Sequence, residues 1–521
     1  MKMNSISTAV LASLAGIAGI ANISSAVNIN PDGTGQVLIY PYYTVNAGNQ
    51  TLLSVVNTTS QGKAVKVRIL EGRNSQEVLD FNLFLSREDV WTAAILSLGT
   101  ATGPASILTL DTSCTAPAFA SDGTATASGI PFVNFRNFLY TNDTAGGIGL
   151  DRTREGYIEL IEMVVLDGDL ERAITHVSGT DIPKDCGAVA SGVGPLFTFD
   201  GDNVPTGGLF GGASVLNIAN GTYTNYSASA IDGFWAAGEI GYSSPDSILP
   251  SLSNARPQSL VFSNGRVISS TWGSLAVGGF ADPGQRIDAV SAVFMSDTFF
   301  NEYTTETGIA AASEWVITFP TKRFYVNNPP ATSFPGTTAN PSTRAVDPFT
   351  TRYAGGQSCD PVGIQSWNRE EFTSSTPTGF SPPQATSVPN LCFEVNVLTF
   401  NQSISNAANG TSSASKILGS VHARNIATPR IPGVAGNGTQ AGWTRVNLGL
   451  LGGTTGLNRT TRPSVEGHRF FGLPVTGFWA VSIENNNATP GVKGFYGGAF
   501  NHRNSRRCET LVAGVTGSCV N

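Results

Sequence analysis

The sequence predicts a mainly β protein: a β-sandwich near the N-terminus, then a larger β-rich region with one helix and a long Pro-rich insertion. Three observations point there. Apolar and polar residues alternate over strand-length runs, turn residues (Gly, Ser, Thr and Asn) are abundant, and only 13% of residues are charged, about half the usual quarter. A period of two marks strands, and so few charges argue against long surface helices built on Glu and Lys.

The clearest run is Thr51–Leu98. Val65, Val67 and Ile69 point one way while Lys66 and Arg68 point the other. Leu79, Phe81, Leu83 and Leu85 share a face opposed by Asp80 and Asn82. One face of each strand is expected in the core and the other in water. The breaks at Asn57–Gly62 and Gly72–Ser75 have turn chemistry and the length of connections between antiparallel neighbours. The run therefore reads as one sheet of a sandwich. It resembles bacterial immunoglobulin-like modules, which implies an immunoglobulin-like β-sandwich over residues 27–193 and supplies no catalytic motif.

Along the chain, Lys2, the apolar run Ile6–Ala21 and Ser24-Ser25-Ala26 have the order of a secretory signal peptide over residues 1–26. Gln36–Val45 is a first strand, and Pro41, lacking a backbone donor, places it at an edge or a bend. Residues 99–130 are small and polar, a loop insertion. Strand character returns at Phe132–Tyr140 and Tyr157–Leu166, the second ending in the turn signal Asp167-Gly168-Asp169. Residues 194–327 alternate short strands such as Ala213–Ile218 and Ser259–Phe262 with turns. One helix is expected near 283–303, with Asp282 as N-cap, Pro283 at the first turn and Ile287, Val290, Val293 and Phe294 on one face. Trp315–Phe319 is a strand, interrupted by Pro320 before Lys322–Val326. Residues 328–390 form a Pro/Ser/Thr-rich insertion, and residues 391–521 return to strands at Phe393–Phe400, Lys416–Val421, Trp443–Leu448, Phe478–Ile483 and Phe495–Phe500. The segments Ile39–Thr44, Trp315–Arg323 and Gly497–Arg503 resemble motifs of exported bacterial proteins without an assigned activity. That resemblance implies an envelope or extracellular location and no particular reaction.

Cys114, Cys186, Cys359, Cys392, Cys508 and Cys519 are an even set in a chain read as exported, so disulfides are expected. Pairing of sequence neighbours gives 114–186, 359–392 and 508–519. None forms a CxxC pair of the kind that binds zinc or exchanges thiols. The net charge of -7, with no Lys/Arg cluster, makes nucleic acid a poor partner. No run after the leader is apolar enough for a transmembrane helix.

Catalytic motifs are missing: there is no GxSxG, HExxH, Walker A or complete EF-hand loop. Asp200, Asp202 and Asn203 offer oxygen ligands to calcium, although Asp-Gly-Asp-Asn is also ordinary turn sequence. Glu159 and Glu162 are the two carboxylates of interest for glycoside hydrolysis, but on a regular strand they face opposite sides and read as a partly exposed strand. His502, amid Asn501, Arg503, Arg506 and Arg507, has the best functional claim of the four histidines. Tyr40, Tyr42, Tyr43, Phe478 and Trp479 are candidates for stacking on sugars, with core packing as the first assumption; of Tyr42 and Tyr43 at most one is expected to be buried by the sheet. The expected function is an exported structural or adhesive protein of the cell surface or extracellular space. It has no catalysis and no cofactor beyond a weak calcium candidate, and its partners are other copies of itself or surface glycans and proteins. A secreted polysaccharide-binding or polysaccharide-degrading protein is the second reading, with periplasmic location as an alternative, and an outer-membrane barrel the third.

Overall fold

The computed structural model describes residues 26–273, 276–277, 280–281, 285–327, 347–371, 373, 389–401, 412–429, 440–449, 458–489, 492–512 and 515–519. The expected signal peptide before Ala26, the helix start at Asp282 and Pro283, and residues 328–346, 372 and 374–388 of the Pro-rich insertion lie outside them.

Two antiparallel sheets face each other across one apolar core. The larger has the spatial order β1 (Asn28–Ile29), β13 (Ser229–Asp232), β2 (Val37–Thr44), β10 (Glu155–Leu166), β4 (Gly62–Glu71), β5 (Glu77–Leu85) and β8 (Thr115–Ala116). The smaller runs β12 (Thr222–Ser227), β11 (Leu209–Asn217), β3 (Gln50–Asn57), β6 (Val90–Leu96), β7 (Ser106–Leu108) and β9 (Phe132–Asn134). Val65, Val67, Ile69 and Leu160 of the first meet Val55, Trp91, Ile95 and Val215 of the second.

The Thr51–Leu98 run therefore feeds both sheets, not one. β3 and β6 lie in the smaller sheet, while β4 and β5 lie in the larger. The Asn57–Gly62 break crosses between sheets, and the Gly72–Ser75 break alone closes a hairpin. Local alternation marks a strand and its faces but leaves its partner open. Both sheets also continue past residue 193, since β11, β12 and β13 complete them. The 99–130 segment, read as a loop, contributes β8 to the edge of the larger sheet and β7 to the smaller, between β6 and β9, and the strand expected over Phe132–Tyr140 stops at Asn134.

Neither face of the larger sheet is wet. At one end Ala64, Phe84 and Met163 pack on α1 (Gly168–Ile174) beside Cys114 and Cys186. At the other, Val37, Ile39, Ile161 and Ile231 share a core with α2 (Gln285–Phe294), Trp235, Trp315 and Trp479. Lys66 and Arg68, expected in water, lie between these ends and are buried. Lys66 pairs with Asp80 at 2.6 Å and donates to the carbonyls of Ser244 and Pro245. Arg68 reaches Glu77 and Glu159, each at 2.7 Å. Burying charge is costly unless it is paired, and here the pairing is what permits a third layer to cover the sheet. Pro41 sits where the β2–β10 register shifts, between Tyr40 and Tyr43, so the bend, rather than an edge, accommodates it.

Three further buried glutamates fix loops by accepting backbone N–H groups. Glu71 accepts from Arg73, Asn74 and Gln76 inside the β4–β5 hairpin. Glu162 accepts from Thr206 and Gly207 and pairs with Lys63. Glu314 accepts from Lys416, Ile417 and Leu418. The last explains why Lys416–Val421 is not the expected strand: its amides are taken by a side chain.

Beyond the sandwich, a five-stranded sheet orders Arg424–Ala427, Val395–Asn401, Ala312–Thr318, Thr476–Thr489 and Val492–Asn501. A four-stranded sheet orders Gly363–Asn368, Ala441–Asn447, Thr298–Thr304 and Arg503–Ser505. Gly363–Asn368 comes from within the 328–390 segment, so its described part is built into a sheet. The helix expected to reach residue 303 ends at Phe294, with its anticipated face of Ile287, Val290, Val293 and Phe294 buried. Thr298–Thr304, rich in Thr, Phe and Tyr, pairs on both sides instead. Two short helices join α2: Asp167-Gly168-Asp169, read as a turn, opens α1, and Arg323–Val326 is helical where a strand was expected. The disulfides join 114–186, 359–392 and 508–519, the sequence-neighbour pairing. No helix among the described residues is long and apolar enough to cross a membrane.

Candidate functional site

Among the described residues nothing covers the outer face of the smaller sheet, which forms a groove of about 920 Å³, near the upper end of the range for ligand sites. Alternation places Leu53, Ala93, Ala213 and Tyr226 in the core, so their neighbours face outward. Register then aligns two rows across four strands. Ser227, Gly212, Ser54 and Thr92 form one; Asn225, Ser214, Leu52 and Ala94 form the other. The first row is all small or hydroxylated and the second sets Asn225 and Ser214 beside Leu52 and Ala94, which gives a shallow floor with hydrogen-bonding groups along part of it.

Apolar walls flank that floor. Leu108–Leu110 stands on one side, and Ala499–Asn501 with Arg503 on the other. Leu110 is 77% exposed and Phe500 54%, whereas most large apolar side chains of this fold are buried. Among the described lining residues there is no Asp or Glu, and Arg503 is the one charged group. The site thus offers hydroxyls, amides and aromatic surface, without the two carboxylates of glycoside hydrolysis.

Of the residues singled out from sequence, Asn501 and Arg503 line the groove; the others lie elsewhere. Asp200-Gly201-Asp202-Asn203 is a turn whose polar groups are engaged internally: Asp200 accepts from the Asp202 N–H, and Asn203 bonds the Asp200 N–H and the Val165 carbonyl. Glu159 and Glu162 are both fully buried, contrary to the partly exposed strand expected, with Arg68 and Lys63 as separate partners. Tyr40, Tyr42 and Tyr43 are all buried, and so are Phe478 and Trp479. The expectation that one of Tyr42 and Tyr43 stays outside fails because both faces of the larger sheet are covered. Among the described residues the aromatic groups that do reach solvent are Phe138, Phe210, Tyr223, Phe262, Trp443, Tyr496 and Phe500, of which Phe210 and Phe500 line the groove. Trp443 stacks on Trp367 at 4.2 Å and Arg445 lies over Trp367, so part of their surface is used internally. Sequence reasoning missed Phe210 and Phe500 because alternation shows that they point outward without showing what stands opposite.

His502 is enclosed rather than part of an open polar patch. Its ring lies 5.1 Å from those of Phe299 and Trp315. Nε2 lies 2.9 Å from the Val316 carbonyl, an acceptor only, so it carries the proton, and Nδ1 accepts from the Asn301 amide. Burial pushes its pKa down to about 4. The unfolded chain takes up this proton near pH 6.5 and the folded chain only near pH 4, so stability falls as pH drops through that window. His502→Gln is expected to remove about 2 kcal/mol of that loss, read from urea unfolding of both chains at pH 7 and pH 4.5. An equal loss in both chains would contradict the neutral, enclosed imidazole.

No family model matches the chain, and no curated protein or solved structure matches it.

Proposed function

We propose that this is an exported, non-catalytic adhesive protein of the cell surface or extracellular space that holds an extended glycan in the groove across β12, β11, β3 and β6. The groove itself carries the reading: a long floor of hydroxyl and amide groups between apolar walls suits a chain of sugar rings, each with polar edges and apolar faces. Phe500 and Phe210 offer surface to those faces. Export rests on the N-terminal pattern and agrees with three disulfides, which persist in oxidising compartments.

The test is retention of the purified mature chain on a glycan array, alongside an assay for released reducing ends. Binding without hydrolysis is expected, and Phe500→Ala should weaken it about tenfold, the effect of losing roughly 1.4 kcal/mol of contact. Binding unchanged in Phe500→Ala, absence of binding to any glycan, or turnover of the bound chain would each overturn the reading.

A further inference from the structure

The groove runs into a second, smaller cavity. Ser227 and Asn501 line both. The inner space is about 170 Å³, room for about five waters, and it lies where the sandwich meets the second β region. Its polar walls include Ser229, Thr476, Asn501, Asn504 and Arg506, of which Arg506 alone is purely a donor. No Asp or Glu is among its described lining residues.

Arg506 is the unusual member. It donates to the carbonyls of Met295, Phe262 and Val293, two of them at the C-terminal end of α2. These three bonds leave two of the five guanidinium N–H groups without an acceptor among the described residues. Among the described residues no carboxylate pairs with it. Carbonyls at a helix C-terminus carry about half a negative charge, so a cation held by carbonyls alone, two of them there, keeps part of its charge. Arg503, also without a carboxylate partner among the described residues, lines the groove three residues away in sequence. In a chain of net charge -7, two unpaired arginines along one continuous depression are a local reversal of sign.

We propose that the inner cavity is an anion subsite, and that the glycan held in the groove is acidic, with the carboxylate or sulfate of one sugar unit seated against Arg506 and Asn504. The choice of glycan rests on the groove reading given above; the anion subsite stands on its own geometry. His502 forms wall rather than donor here, since both ring nitrogens are engaged. Ser229 and Thr476, hydrogen-bonded to each other at 2.9 Å, line the same cavity.

The experiment compares three matched oligosaccharides of equal length, neutral, uronate-bearing and sulfated, by calorimetric titration of the full mature chain. Glucuronate and acetate are titrated separately, with acetamide as neutral control. The expected result is at least about tenfold preference for one of the acidic chains. It should be lost in Arg506→Gln while binding of the neutral chain is kept. Asn504→Leu, which leaves the Arg506 bonds to α2 in place, should lower the same preference if Arg506→Gln does not fold. Preference for uronate over sulfate, or the reverse, identifies the charged group. Equal affinity for neutral and acidic chains overturns the anion subsite and leaves the groove reading standing. No oligosaccharide binding, with acetate still bound and acetamide not, overturns the acidic glycan and keeps the anion cavity. No binding of any probe overturns both.

Discussion

Replacing Arg68 with methionine is expected to destabilise the chain by about 3–5 kcal/mol, the cost of breaking a buried ion pair from one side. Arg68 is 2% exposed and holds Glu77 and Glu159 together on the covered face of the larger sheet. Burial alone pulls its pKa down, and the two carboxylates outweigh that, so the guanidinium stays above its ordinary value. Methionine fills much of the same volume but leaves two carboxylates inside without a cation. Arg68→Lys keeps the charge and loses the fork that reaches both partners, so it should fall between wild type and Arg68→Met. Adding Glu159→Gln to Arg68→Met should recover part of the loss, because the cost lies in the stranded charge. Urea midpoints at pH 7 for the three variants and wild type decide it. A drop of less than about 1 kcal/mol in Arg68→Met, the level of an exposed pair, would show that this face is open to water.

Glu314→Ala is the second large effect, expected at about 4 kcal/mol. Glu314 lies on a central strand of the five-stranded sheet, is 1% exposed, and accepts from Ser415 Oγ at 2.7 Å as well as the Ile417 and Leu418 amides at 3.1 and 3.0 Å. Burial raises its pKa, and these donors pull it back. Removing the carboxylate strands several buried donors at once, each costing about 1–3 kcal/mol when unsatisfied. The loss is local, so limited proteolysis should cut within residues 412–429 before the sandwich unfolds. Glu314→Gln keeps one carbonyl acceptor and should lose about half as much. Equal protease resistance of Glu314→Ala and wild type would contradict the anchoring role.

Both predictions concern features the sequence shows only in part. The alternation of Val65, Val67 and Ile69 gave the core face of β4 correctly, because apolar period is a local property. The fate of Lys66 and Arg68 depends on residues far along the chain: the carbonyls of Ser244 and Pro245, and the carboxylate of Glu159. The same holds for Tyr42 and Tyr43, whose sheet is covered on both sides by segments distant in sequence. Pairing cysteines by sequence order matched the structure because each bridge joins neighbours across nearby elements. The end of α2 was misplaced because strand pairing of Thr298–Thr304 with two partners outweighs a helical pattern that fades after Phe294. The groove was half legible. Leu52, Ser54, Thr92 and Ala94 can be assigned outward from alternation alone. That β11 and β12 extend their rows, and that Phe500 rises beside them from a hairpin nearly three hundred residues away, is set by tertiary pairing.

The most direct measurement is a crystal structure of the mature chain soaked with an oligosaccharide that it retains on an array. Sugar density lying across Ser227, Gly212, Ser54 and Thr92, with a ring against Phe500, is the expected result. Density elsewhere on the molecule, or a cleaved product in the groove, would contradict a non-catalytic glycan-binding site on this face.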